Sequence, residues 1–330
     1  DHDFDQVRLE NPIEVYANEV EPLPDVRQAA AAAYRELDIR TPVEFADLAF
    51  DDIRIEHEWD RRLFNKDKHR EINARESATA SAAPYLLQPA RPHRVGVLLA
   101  HGFLASPAEV RPLAERLVQA QFRVLAVRLR GHGTSPWDLR ERVWRDWLAS
   151  IARGYDILRG YCDEICLVGF STGAALSLIQ AAGAPPGLQG IVACSTPIHF
   201  RNRNMRFVPF LHGANQLIEW VSSHEGVMPF RPNDAEHPQI NYRHMPLRGL
   251  YELTRMVSHL KDQLPEVRCP ALILQGDEDH VVDPQSAQQV YEQIGSLDKS
   301  LHWVPTRRHG IVNENIGETH ARIVEFINRL

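Results

Sequence analysis

From about residue 71 to the C-terminus, short apolar runs alternate with longer amphipathic stretches. Residues 94–100, 122–127, 165–168, 188–194, 271–274 and 301–304 are almost continuously apolar. Residues 107–119, 137–161, 172–182, 284–294 and 314–330 carry helical spacing instead. A strand that is apolar at every position has both faces covered, as in a parallel sheet flanked by helices. The alternation therefore predicts a doubly wound, mostly parallel α/β sheet. The rhythm breaks between Ser195 and Pro270, where helical signals appear without a clear strand. A structureless loop of that length is uncommon in a compact domain. Residues 198–264 are accordingly expected to form a helical cap inserted into a core made of 71–197 and 265–330.

Residues 1–70 read as a helical extension. Residues 28–38 are rich in Ala, Leu and Arg, which favour helix. Thr41-Pro42 offers an N-cap followed by proline at the first helical position. A second helix is expected through 53–64, with Trp59, Leu63 and Phe64 as its buried stripe. The first 50 residues hold 12 acidic and 4 basic side chains, so the acidic excess of the whole chain (net −7) sits there. A solvated acidic face is the simplest reading of that charge.

Composition narrows the function classes. With 330 residues, 44% hydrophobic and 25% charged, the chain is globular rather than disordered or disulfide-stapled. No run approaches the ~18 apolar residues of a membrane span. An acidic balance leaves no electrostatic footprint for nucleic acid. The four cysteines lack metal-site spacing, and a Cys162–Cys166 bridge is the minority reading. His199, His212, His224, His237, His244 and His259 are scattered, so no metal is expected. The segment from Asp1 has neither a basic n-region nor an apolar h-region, which favours a cytoplasmic protein. A homo-oligomer is compatible with the sequence.

The chemistry centres on Gly169-Phe170-Ser171-Thr172-Gly173. This G-x-S-x-G falls between an apolar strand and a helix, where a sharp turn lifts the serine hydroxyl above the sheet. A serine hydroxyl needs a general base. Acid and base are expected later in the chain, in the order Ser, Asp, His. The run 271–274 leads into Asp277, Asp279 and Asp283, and the run 301–304 leads into His309. Asp283 reads as a helix cap before Pro284. Asp279 is favoured over Asp277, and His309 over His280 and the in-strand His302. Ligand sites of α/β sheets lie in loops at the carboxyl ends of strands. His101-Gly102-Phe103 follows the first core strand. The backbone N–H groups of Phe103 and Thr172 are candidate oxyanion donors. His101 itself reads as structural.

Taken with Arg130-Gly131-His132-Gly133-Thr134-Ser135, Gly276-x-x-Asp279-x-x-Val282 and Arg308-His309, these motifs make the chain resemble the α/β-hydrolase carboxylesterases and monoacylglycerol lipases. The resemblance spans about residues 94–310 and does not cover the N-terminal segment. It implies an α/β-hydrolase fold, a Ser171–Asp279–His309 triad, an oxyanion hole at Phe103 and Thr172, a helical cap and no cofactor. Its Gly-x-x-Asp spacing supports Asp279. Thr172 departs from the bulkier Met or Leu often found after the nucleophile. Leu104, Phe207, Phe210 and Trp220 are candidate substrate walls. Arg201, Arg203 and Arg206 read first as a solvated basic cluster. The expected activity is hydrolysis of small-molecule carboxylic esters, with short- to medium-chain acyl esters or monoacylglycerols favoured. C–C bond hydrolysis, amide hydrolysis, acyl transfer and a non-catalytic binding role remain as alternatives, because fold does not fix chemistry.

Overall fold

The computed structural model describes residues 41–201 and 229–330. The expected helix at 28–38 lies outside the described residues, as do Phe207, Phe210, Trp220, Arg203 and Arg206. Seven strands form the central sheet: β1 (Tyr85–Leu87), β2 (Val95–Ala100), β3 (Arg123–Val127), β4 (Glu164–Phe170), β5 (Leu188–Cys194), β8 (Ala271–Gly276) and β9 (Lys299–Val304), in the order β1-β3-β2-β4-β5-β8-β9. All neighbours are parallel except the β1–β3 pair. The chain leaves β2 toward β3 on one side and then crosses to β4 on the other. The carboxyl ends of β2 and β4 therefore flank the point where strand order reverses, and there α/β sheets open a crevice.

Helices cover both faces. On one face Leu98, Leu125 and Leu167 join Trp147, Ile151 and Leu158 of the helix Trp144–Arg159, and Leu176 and Leu178 of the helix Thr172–Ala182. On the other, Val97, Val124 and Cys166 meet Leu113 and Leu117 of the helix Arg111–Gln119 and Ile323, Phe326 and Ile327 of the helix Thr319–Asn328. All four cysteines are free thiols.

The stretch 198–264 differs from a purely helical cap. It contains a two-stranded antiparallel ribbon, β6 (Phe230–Pro232) with β7 (His244–Pro246). Its helix Leu247–Gln263 buries Leu250, Leu253, Met256 and Leu260 in the same cluster as the helix Thr172–Ala182. That helix belongs to the core layer. Its apolar spacing revealed a buried face without saying which surface would cover it.

The N-terminal helix also departs from expectation. It runs Pro42–Leu63, opened by a capping box between Thr41 and Glu44. Phe64 is buried, but Trp59 is 41% exposed. The docking face is mixed: Ala46, Ala49, Phe50 and Ile53 pack on the core cluster, and beside them Asp52, Glu56 and Asp60, one turn apart, meet arginines of the core. Arg153 pairs with Asp52 and Glu56, and Arg130 with Glu56. Asp60, 2% exposed, bridges Arg128 at 2.7 Å and Arg142 at 3.2 Å, and Arg142 reaches the buried Asp138 at 2.6 Å. These three acids follow the first 50 residues, so the docking stripe is separate from the acidic excess of that segment. Burial and the Asp138 charge push the Asp60 carboxyl up, against the pull of Arg128 and Arg142. Removing one partner of a buried ion pair strands the other charge. Asp60→Ala should therefore destabilise the protein by about 3–5 kcal/mol in denaturant unfolding. Asp51→Ala, which breaks the exposed Asp51–Arg54 pair, should stay within about 0.5 kcal/mol. An Asp60→Ala loss no larger than that of Asp51→Ala would show that the helix does not dock through this network.

Candidate active site

Ser171 occupies the turn between β4 and the helix Thr172–Ala182, at φ 54° and ψ −117°. A non-glycine residue at positive φ is strained by roughly 1–3 kcal/mol, and the surrounding bonds hold it there. Its N–H donates to the Cys194 carbonyl, and its own carbonyl accepts from Ala174 and Ala175. Gly173 is required by close approach: a Cβ there would lie 2.3 Å from the Ala100 carbonyl oxygen. The helix can start against the end of β2 only without a side chain at that position.

His309, in the loop after β9, places Nε2 3.1 Å from Ser171 Oγ and Nδ1 2.7 Å from Asp279 Oδ2. Asp279, in the loop after β8, is fully buried. Its Oδ1 accepts from the N–H groups of Val281 (2.8 Å) and Val282 (3.1 Å), and its Oδ2 also accepts from Gln275 Nε2 (3.0 Å). Burial alone would raise this carboxyl. The hydrogen bond and charge of His309, with the two backbone donors, outweigh it and hold the group below the usual carboxylate range. The carboxylate is therefore ionised beside an imidazole whose other nitrogen faces the serine. A proton leaving Oγ can be received at Nε2, and the resulting imidazolium is held by Asp279.

The rival residues serve other ends. Asp277 accepts the Thr306 N–H and ties the β8 loop to the β9 loop. Asp283 caps the helix Gln285–Gln293 by accepting the Gln285 N–H. His280 is exposed and bonds the Arg307 carbonyl oxygen. His101 is buried: its Nε2 accepts the Leu129 N–H at 3.1 Å, so its Nδ1–H donates to the Gly102 carbonyl oxygen. Burial drives His101 well below its ordinary value and His132 down to about 3, so both stay neutral. Arg201 is exposed, and its Nε donates to the Asp279 carbonyl oxygen.

The loop after β2 brings Gly102, which precedes Phe103, against the serine turn: a Cβ there would lie 3.4 Å from Ser171 Cβ. Among the described residues, neither the Phe103 N–H nor the Thr172 N–H has an intramolecular acceptor. Leu104, which follows, sits at φ 64° and is buried in the core cluster. The Phe103 ring meets His132 edge-on at 5.7 Å between centroids. Two further carboxylates adjoin the site and carry no motif in the sequence. Glu109 is buried and accepts the Gly102 N–H at 2.6 Å. Burial pushes it up to about 7, despite the pull of the Gly102 bond and of His309. Glu236 lies against the His309 loop. Neither carries a sequence motif: Glu109 bonds Gly102, seven residues before it, by a loop geometry that no local pattern marks, and the partners of Glu236 are more than seventy residues away.

Comparison with known proteins bears on the family and the fold. Residues 91–316 match the family model described as serine aminopeptidase, S33. A thermostable monoacylglycerol lipase from Bacillus sp. (strain H-257) is 34% identical over 210 residues, covering 63% of this chain and 79% of that one. A carboxylesterase from Bacillus subtilis (strain 168) is 25% identical over 237 residues, covering 71% and 92%. Among solved structures, one from a study of LipS and LipT, two metagenome-derived lipolytic enzymes, superposes with a TM-score of 0.66 at 28% identity. It covers 77% of this chain and all of its own. With two thirds of its length matched, and with its sheet and serine turn arranged as described, the chain belongs to the serine aminopeptidase S33 family of α/β-hydrolases.

Proposed function

We propose that this protein hydrolyses carboxylic esters through an acyl-enzyme on Ser171. The observation that carries the reading is the continuous chain Ser171 Oγ–His309–Asp279, facing two backbone N–H groups that have no other acceptor. Ser171 Oγ attacks the carbonyl carbon as its proton passes to His309 Nε2. The oxyanion is met by the N–H groups of Phe103 and Thr172, a contribution worth about 3–4 kcal/mol in the transition state. His309 then protonates the departing alkoxide. Water, activated by the same nitrogen, releases the acid and restores the serine.

Short- to medium-chain acyl esters and monoacylglycerols are the favoured substrates. This rests on the likeness to a monoacylglycerol lipase and a carboxylesterase. In this reading residues 71–197 and 247–330 form the catalytic core, and residues 236–242 lie against its oxyanion and His309 loops. Among the described residues no helix is long and apolar enough to cross a membrane.

The test is a panel of p-nitrophenyl esters from acetate to palmitate, with monoacylglycerols and aminoacyl p-nitroanilides beside them. Turnover should be highest on esters of short to medium chain, with monoacylglycerols cleaved and the anilides hydrolysed at least a hundredfold more slowly. Faster cleavage of anilides than of esters would instead identify a peptidase.

A further inference from the structure

Residues 236–244 run as a strap across the site. The Tyr242 N–H donates to the Leu104 carbonyl oxygen, beside the oxyanion loop, at 2.9 Å. The Gln239 carbonyl oxygen accepts from Thr79 and Ala80, and Glu76 accepts from the N–H groups of Arg243 and His244. The strap is thereby pinned to the 76–80 segment at Gln239 and at residues 243–244, and to the oxyanion loop at Tyr242. At its start stands Glu236. Its Oε1 accepts the His309 N–H at 3.1 Å, and its Oε2 accepts the Gly310 N–H at 3.0 Å.

We infer that Glu236 is a positioning residue: its carboxylate grips the backbone of residues 309–310 and so sets where the His309 imidazole stands between Ser171 and Asp279. This rests on the triad reading above. The base loop follows an edge strand, β9, whose residues are mostly half-buried, and is packed into the core only further on, at Ile311 and Val312, so Glu236 holds the stretch between these two anchors. A two-oxygen acceptor bonded to consecutive amides fixes both the place and the tilt of that backbone. The approach is close. A Cβ on Gly310 would stand 2.9 Å from Glu236 Oε2 and 3.2 Å from His237 Nε2, so only glycine admits the grip. The groups around it hold the carboxylate in turn: His280 Nδ1 lies 3.7 Å and Arg308 Nε 3.9 Å from Oε1. The neighbouring Glu314 is engaged with Arg308 and His237. A misplacement of about 1 Å in a catalytic group can cost about a hundredfold in rate.

The experiment compares Glu236→Ala, Glu236→Gln, Glu236→Asp and Gly310→Ala with wild type and Ser171→Ala, using p-nitrophenyl butyrate. Glutamine keeps one acceptor but turns an NH₂ group toward one of the two amides. Aspartate keeps both oxygens on a shorter stem. Expected is a kcat lower by about 10–100-fold for Ala and Gln, with KM changed less than about twofold, and partial recovery for Asp. Gly310→Ala should reproduce the loss with Glu236 intact. The low-field proton resonance of the His309–Asp279 hydrogen bond should shift or broaden in step, while the thermal midpoint stays within about 3 °C. Wild-type kcat in Glu236→Ala, or equal losses in Asp, Gln and Ala that track a lowered midpoint, would overturn the role of Glu236 alone. An active Ser171→Ala would overturn the triad and this assignment together.

Discussion

Ser171→Ala should lower kcat for a p-nitrophenyl ester by about a millionfold, and His309→Ala by a similar factor. The double variant should be no slower than either single one. The hydroxyl and the imidazole act as one unit across 3.1 Å: without the base the hydroxyl keeps its proton, and without the hydroxyl the base has nothing to activate. Substrate affinity should change little, because neither deletion touches the two free N–H groups. Those donors leave a residual acceleration of about 10³–10⁴ over water. Stability should hardly move. Alanine at 171 faces the same positive φ and removes one oxygen from a side chain whose backbone bonds stay intact. The measurement is single-turnover release of p-nitrophenol, together with covalent labelling by a fluorophosphonate, which should vanish in Ser171→Ala. Retention of more than about a hundredth of wild-type kcat would remove Ser171 from the chemistry.

How far the sequence reaches depends on whether a feature is local. The core strands are legible because burial on both faces writes a continuous apolar run, and Val95–Ala100 is buried at every position. The serine turn is legible because the backbone constraint falls within five residues: only a small residue fits at 173, and the helix begins at 172. Short edge elements are not. β1, at Tyr85–Leu87, is three residues long, half-buried and antiparallel, and three residues carry no period. The ribbon β6–β7 is equally short, and each of its strands ends in proline.

Long-range polar contacts are the other blind spot. The apolar stripe expected at Trp59, Leu63 and Phe64 misses that the N-terminal helix docks through Ala46, Ala49, Phe50 and Ile53 and through acids one turn apart that meet arginines 68 to 101 positions later. Glu236 has no signature because its partners are backbone amides more than seventy residues away. The choice of Asp279 over Asp277 is an intermediate case. Both follow β8, and local spacing favours one only through a family pattern. In the structure, the direction of the backbone after Gly276 sends Asp277 to Thr306 and Asp279 to His309.

Asp279→Asn tests that assignment with the second largest effect, a fall in kcat of about ten-thousandfold. The orientation of the new amide is set by its surroundings. The oxygen must face the N–H groups of Val281 and Val282, since an NH₂ group there would oppose two donors. The NH₂ group then points at His309 Nδ1, which must accept and so cannot carry the proton. The proton moves to Nε2, where it faces Ser171 Oγ and blocks its activation. Gln275 can adapt by turning its amide, because its Oε1 has no other partner, so the fold should survive. The charge matters for pH as well. Asp279 is held below its ordinary value in the folded state. Its contribution to stability is therefore present above about pH 4 and is lost as pH falls through the folded value. Wild type should be the more stable protein at pH 7, and the gap should close on acidification, as denaturant titrations at pH 7 and pH 3 would show. Asp277→Asn, by contrast, should keep kcat within about threefold, because an amide oxygen can still accept the Thr306 N–H. If Asp277→Asn instead proved the slower enzyme, the acid of the triad would be the other carboxylate.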